Sequence, residues 1–443
     1  MSAQKNKTVL AATLAIIAVF LLGGASFTFF PIQQQPTQQY LPTAAHIMWT
    51  KPAPDNNSIT VTGPVSTHSD SDYYFSITHY YPMDTICIGS DGALNSTNAP
   101  IQHQGTTYTL TGNIVNQTLL IQKDNITLNG AGYTLQGWTR TPGDTTIAIK
   151  MANRNNITIT DFNINQFATL IFEQNSTNLT IKNSNITAGY PYAILMESTN
   201  QTTIVNNTFL GSMIELRDCS NNVITGNTFG VGDTGIMDFD GGGDNVVTKN
   251  TFTSVKEPII LEGANSDITQ NTIVNADCGI SVDGPYFDVS KNSLYNSTIA
   301  FFVNSNNSEI WQNDAYNCSL GVMLNLAANQ PTTGNNSFVN NNFRNCRKPV
   351  LVLYPSDLPD HWDNGKEGNY WSSYNGSDGN GDGVGDSPYT LAENCTDNYP
   401  LMQPYTAASS IELGTLFFAG AAVTALVGAA VIVCVYAKFR GRS

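Results

Sequence analysis

Between the two ends of the chain, apolar residues come in short runs of three to five separated by Asn, Thr, Ser and Gly, with no helical stripe. Short runs bounded by turn formers predict many short strands. From about residue 125 one pattern recurs: an aliphatic residue, two variable positions, Asn or a small polar residue, one more, then Phe, Ile or Leu. It reads Ile204-Val205-Asn206-Asn207-Thr208-Phe209 and again Ile224-Thr225-Gly226-Asn227-Thr228-Phe229. Asn207, Asn227, Asn250, Asn271, Asn292 and Asn313 follow one another at steps of 20, 23, 21, 21 and 21 residues. A second apolar run accompanies the copies, as in Leu170-Ile171-Phe172, Ile194-Leu195-Met196, Ile259-Ile260-Leu261 and Phe301-Phe302-Val303. A period of this length is one coil of a parallel β-helix. The expected fold is all-β: a right-handed parallel β-helix of about ten coils, with a transmembrane helix at one or both termini.

Strands of such a solenoid add along its axis at about 4.8 Å, so equivalent residues of successive coils touch. Inward aliphatics then form one dry core. The repeating Asn is expected to take a left-handed turn conformation and bond its amide to the next coil's Asn, a structural ladder without chemistry. Residues 125–355 are expected to form the β-helix. Residues 59–124 read as an N-terminal cap, with strands at Ile59-Thr60-Val61, Tyr73-Tyr74-Phe75 and Tyr108-Thr109-Leu110, and residues 356–405 as a C-terminal cap.

The termini change the picture. Residues 8–30 are mostly apolar and uncharged behind Lys5 and Lys7, so residues 1–30 read either as a cleaved signal peptide or as an uncleaved signal anchor. Residues 31–58, rich in Gln and Pro, read as a disordered spacer. Residues 411–437 form a second apolar run before the basic tail 438–443, which predicts a membrane span with a cytoplasmic C-terminus and the bulk of the chain outside the cell. Sixteen Asn-x-Ser/Thr sequons between the two apolar runs agree, with Asn116, Asn125, Asn156, Asn178, Asn185, Asn206, Asn296 and Asn375 as glycosylation candidates. A net charge of −15 argues against nucleic acid as a partner. The membrane, glycans and other surface proteins are the partners expected instead.

Candidate chemistry sits in few places. Asp378, Asn380, Asp382 and Asp386 put oxygen side chains at positions 1, 3, 5 and 9 of a loop with Gly383 at position 6. That is the front half of an EF-hand-type Ca²⁺ loop, in which Val384 would offer its carbonyl. Tyr389 stands where the bidentate Glu belongs, so a downstream ligand such as Asp397 is expected to complete a structural calcium site. Aligning the second runs places Glu173, Glu197, Asp240, Glu262 and Asp283 in one acidic row interrupted by Arg217. Arg217, Asp238 and Asp240 are the constellation that acid/base chemistry on a glycan would use. The competing reading is a row of solvated strand ends. Trp362, Tyr370, Trp371 and Tyr374 read as the cover over the last coil. Of six cysteines outside the C-terminal run, Cys318 and Cys346 each precede an aligned core Val by four residues, so they should stack and can form a disulfide.

The stretch Asp124-Asn125-Ile126-Thr127-Leu128-Asn129-Gly130-Ala131-Gly132-Tyr133-Thr134-Leu135 resembles the opening coil of NosD-type right-handed β-helix proteins, in particular an archaeal cell-surface subgroup. Trp362-Asp363-Asn364-Gly365, Gly368-Asn369-Tyr370-Trp371, the Asp-rich loop and Asp397-Asn398-Tyr399-Pro400-Leu401 resemble its C-terminal cap. The resemblance spans about residues 85–402. It implies the fold and, by the family's label, copper binding. Copper needs clustered His, Met or Cys; the only histidines are His46, His68, His79, His103 and His361, and Met151, Met196, Met213, Met237 and Met323 read as core filler, so copper is not carried over. The function expected is a membrane-anchored extracellular scaffold, adhesin or glycan-binding module. The alternative is a membrane-tethered polysaccharide lyase, epimerase or hydrolase.

Overall fold

A strand of three residues buries almost nothing by itself; it is stable only where the next coil repeats it. The computed structural model describes residues 84–138, 146–187, 191–325, 334–354 and 358–406. These fold into three twelve-stranded sheets, parallel except where Ile101–Gln104 meets Thr107–Leu110, that form the walls of one solenoid. One sheet has strands of mostly five to eight residues and is called the wide sheet here. It runs from Asp84–Ile88 to Lys348–Tyr354. The first narrow sheet carries the strands from Ile101–Gln104 to Ser337–Val339, and the second narrow sheet those from Ile114–Val115 to Tyr370–Trp371. From Ile126 to Tyr354 the order first narrow, second narrow, wide recurs ten times. Stacking already includes Asp84–Ile88, which pairs with Gln117–Ile121, so it starts ahead of the boundary expected at residue 125.

The core follows from the register. On the first narrow sheet Ile181, Ile204, Ile224, Val247 and Ile268 stack inward; on the second, Phe209, Phe229, Phe252 and Ile273 do. The three phenylalanines stack ring on ring at 4.8 and 4.6 Å between centroids. Facing positions alternate in size. A Cβ at Gly235 would lie 2.8 Å from the Phe252 ring, and one at Gly321 would lie 2.9 Å from the Phe343 ring. Glycine there leaves room for the aromatic below it, as close packing requires.

The corner between the narrow sheets holds the predicted ladder. Asn207 donates its amide to the Oδ1 of Asn227 at 3.1 Å, and the relay continues through Asn250, Asn271, Asn292 and Asn313. It runs two coils further than expected, to Asn341 and Asn369. Each Oδ1 also accepts the backbone N–H of the Asn before it, so these buried amides are fully engaged. One expectation fails. The ladder Asn does not take the left-handed conformation; the residue before it does, namely Asn206, Gly226, Lys249, Gln270, Lys291 and Gln312, with φ between 55° and 65°. The left-handed residue turns the chain and stays on the outside, exposed or half-buried, which leaves the Asn free to face inward.

The cap closes the open end with aromatics, as expected. Trp362 stacks on Phe338 and Trp371 on Phe343, each at 4.3 Å, and both tryptophans are buried. Residues 8–30, the spacer 31–58, the strands expected at 59–61 and 73–75, the apolar run 411–437 and the tail 438–443 lie outside the described residues. No helix among the described residues is long and apolar enough to cross a membrane.

Candidate functional site

Side chains alternate across a strand, so the outer face of the wide sheet carries two rows in register. One contains Phe172, Leu195, Glu215, Met237, Ile260, Ser281, Phe302 and Met323. Its apolar members other than Leu195 are only partly buried. The other contains Gln174, Glu197, Arg217 and Phe239, and further along Asp283 beside Asn304, whose amide donates to the Asp283 carboxylate at 2.9 Å. Burial, then Asp283 and Asp240, push Glu262 up to about 6.

The polar centre of this face is Arg217. Its guanidinium pairs with Glu215, reaches Glu197 at 3.3 Å and donates to the Tyr192 hydroxyl at 3.2 Å. Burial pushes the Glu215 carboxyl up against the pull of Arg217. Arg217, Glu197 and Tyr192 are partly exposed, whereas Glu215 is buried beneath them. The cluster offers guanidinium donors, carboxylate acceptors and one aromatic ring on a rigid surface. Sequence reasoning singled out Arg217 but missed Tyr192 and Glu215. Tyr192 opens the strand that pairs with the Arg217 strand, a register that only the fold supplies.

The expected acidic row is only partly real. Glu197 and Asp283 lie on the outer face, with Arg217 in the Glu197 row. Glu173 does not: it pairs with Met151 and Met196, on the inner row. The run that aligns with Ile194-Leu195-Met196 is Ile171-Phe172-Glu173, one residue later than Leu170-Ile171-Phe172, and a one-residue slip exchanges the faces. Glu173 is fully buried, neither oxygen has a hydrogen-bond partner, and burial raises its carboxyl to about 8. Asp240 sits one position past the row, in a left-handed turn with φ 64°.

Consequently Arg217, Asp238 and Asp240 do not converge. Asp238 pairs with Leu216 and Leu261 and points into the core, where it accepts from the Asn245 amide at 3.2 Å. Burial, opposed by that hydrogen bond, raises it to about 7. Arg217 is on the opposite face of the sheet, so this trio cannot share a substrate.

In the Asp-rich loop, Asp378 accepts from the backbone N–H of Gly381, Asp382 and Gly383, and Asp382 from that of Val384. Asn380 bonds Asp382, and Asp386 accepts from Gly379 and Ser377. Asp397 is not part of the loop. It is buried at the end of the Asn ladder, where it accepts from the Asn369 backbone, the Trp371 indole and the Tyr399 backbone. Burial pushes it up to about 6. Among the described residues no three His, Cys, Asp or Glu side chains gather as a metal site.

The sequon asparagines Asn125, Asn156, Asn178, Asn185, Asn206, Asn296 and Asn375 are exposed, and Asn116 is half-buried. Several already bond one another from coil to coil, Asn156 donating to Asn125 and Asn317 to Asn296. Cys318 and Cys346 occupy equivalent buried positions of adjacent coils, as expected, and both are free thiols.

The sequence matches the family described as "Periplasmic copper-binding protein (NosD)" over residues 83–265 and "Right handed beta helix region" over residues 239–361. Together the two matches support a NosD-type right-handed β-helix family for residues 83–361. The matches do not extend to the archaeal subgroup. No curated protein matches the sequence.

Among solved structures, the catalytic domain of a GH87 alpha-1,3-glucanase in complex with nigerose aligns at 15% identity and a TM-score of 0.42, over 60% of this chain and 63% of that one. The chain therefore spans less than two thirds of that domain. An exopolygalacturonase from Thermotoga maritima aligns at 10% identity and TM-score 0.44, over 59% and 83%. A mannuronic acid specific polysaccharide family 6 lyase from human gut microbiota aligns at 13% and 0.42, over 60% and 72%. None is similar enough to carry an argument about this chain.

Copper does not fit the described residues. His103 stacks on Tyr108 near the first coil, and His361 bonds Asn335 beside the cap. Met151 and Met196 are core filler, but Met237 and Met323 are not: they lie on the outer face of the wide sheet, four coils apart. No soft-ligand cluster results among the described residues.

Proposed function

We propose that the protein is a membrane-anchored extracellular scaffold that binds glycans along the outer face of its wide sheet. The observation that carries this is the Tyr192–Glu197–Glu215–Arg217 cluster set beside a partly exposed apolar row. A linear glycan laid along the axis would meet the same pair of rows at each coil. Sugars are bound by such mixtures: hydroxyls bond to carboxylates and guanidinium, and C–H faces pack on apolar and aromatic side chains. The apolar terminal runs with basic flanks and the exposed sequons support the extracellular placement. The test is a glycan array and a polysaccharide-turnover assay on the parent protein, Tyr192→Ala and Arg217→Ala. Binding without turnover, lost in both variants, is expected. Turnover of any polysaccharide would replace the scaffold with an enzyme, and binding unchanged in both variants would remove this face from the proposal.

The loop Asp378, Asn380, Asp382, Val384 and Asp386 is read as a calcium staple of the cap, supported by the way the Asp378 carboxylate already gathers three backbone N–H groups around itself. Filling it requires Asp382 and Asp386 to exchange their present hydrogen bonds for the ion. A chelator that leaves the melting curve unchanged would dismiss it.

A further inference from the structure

The corner between the second narrow sheet and the wide sheet holds a column of small buried residues, one per coil: Ala276, Ser297, Cys318 and Cys346. The column is kept in register by the backbone. Thr298 donates to the Ala276 carbonyl, Ser319 to that of Ser297, and Arg347 to that of Cys318. The flanking strands agree, Leu320 pairing with Lys348 and Val322 with Val350. Just outside the column, Asn345 donates to Asn317 at 2.9 Å, fixing the same step from the solvent side.

We infer that Cys318 and Cys346 form an oxidisable dithiol whose disulfide welds the last two coils before the cap. Registered residues of adjacent parallel strands are about 4.8 Å apart, within the Cα separation of about 4.4–6.8 Å that a disulfide spans. Both side chains are buried in the same corner, where the two thiols lie side by side. That contact holds the Cys346 thiol below its ordinary range and pushes Cys318 above it. Cys346 is also the more exposed of the two, at 8% against 2%. Of the other described cysteines, Cys87, Cys219 and Cys278 lie on earlier coils and Cys395 lies in the cap beside Trp362.

The oxidant is a small-molecule disulfide such as oxidised glutathione. The Cys346 thiolate attacks one of its sulfurs and expels one thiolate, giving a mixed disulfide. The Cys318 sulfur then attacks the Cys346 sulfur and expels the second. One S–S bond breaks and one forms; two protein thiols are oxidised as two small thiols appear, carrying the two protons.

Peptide mapping tests this cleanly. No Lys or Arg lies between Lys291 and Arg344, so trypsin releases Cys318 in the peptide 292–344 and Cys346 in the tripeptide 345–347. The full chain is treated with oxidised glutathione, alkylated in denaturant without reduction, and digested. The expected product is the two peptides joined, two hydrogens lighter than their sum, and separated by reductant. Recovery of both peptides alkylated, or of either joined to another cysteine, would overturn the inference. The melting temperature of the parent should rise on oxidation, by about 5 °C or more from loop closure. The Cys318→Ala/Cys346→Ala protein should show no such rise, and a rise that persists there would assign the stabilisation to a different pair.

Discussion

Replacing Glu173 with methionine should stabilise the protein, and by an amount that grows with pH. The unfolded glutamate releases its proton near 4.5, whereas the folded one holds it to about 8, because the side chain is wholly buried with both oxygens unpartnered. Below 4.5 both states are protonated and titration costs nothing. Between 4.5 and 8 the folded state keeps a proton that the unfolded state has lost, so stability falls by about 1.4 kcal/mol per pH unit. The loss is about 3 kcal/mol at pH 7 and levels off near 5 kcal/mol above pH 8. The neutral acid carries a further cost of about 1–3 kcal/mol for its unsatisfied hydroxyl and carbonyl at any pH.

Methionine removes both costs and suits the site, since Met151 and Met196 are its registered neighbours above and below. Glu173→Gln removes the titration but keeps an unsatisfied amide, so the two variants separate the terms. Coils of a solenoid can open locally, so the fitting assay is hydrogen exchange of the strand Thr169–Gln174 and its neighbours, beside thermal melting, from pH 4 to pH 9. The gap between parent and Glu173→Met should widen across that range and flatten above pH 8. A gap independent of pH, or a methionine variant less stable throughout, would refute the inward placement of Glu173.

Asp238→Asn should act in the same direction. Asp238 is raised to about 7 by burial, so the parent loses stability as pH rises from 3.8 to 7, and the asparagine protein should lose less in a melting series over that window. Asn271→Ala cuts the ladder at its middle and strands the Asn250 backbone N–H and the Val247 carbonyl in the core; the expected loss is about 3 kcal/mol or more by denaturant unfolding. Gly321→Ala should cost about 1–3 kcal/mol through its contact with Phe343 and the Pro349 carbonyl, and Phe343→Leu in the same chain should recover part of it, a coupling read from a double-mutant cycle.

Much of the fold was legible in the sequence because a solenoid writes its period into the chain. The spacing of Asn207 to Asn313 gave the coil length, and the same residues form the ladder because an amide is at once donor and acceptor and can bond its own copy above and below. The tryptophans of the cap were legible for a similar reason: an open core needs a large apolar cover. The equivalence of Cys318 and Cys346 also followed from counting.

What counting could not supply was the face on which a given residue lies. An apolar run shows that a strand is there, but the hydrogen-bonded register decides inside from outside, and a shift of one residue reverses it. Leu170-Ile171-Phe172 looked like the core run, whereas pairing with Ile194 makes Ile171 and Glu173 the inward pair and turns Phe172 out. Asp238 moved inward and Asp240 into the turn for the same reason, which dissolved the expected Arg217 constellation and left Tyr192, Glu197 and Glu215 around the arginine instead. The period and its ladder are local repeats that the sequence determines by itself; the faces of the wide sheet, and with them the candidate site, exist only once neighbouring coils have fixed each other's register.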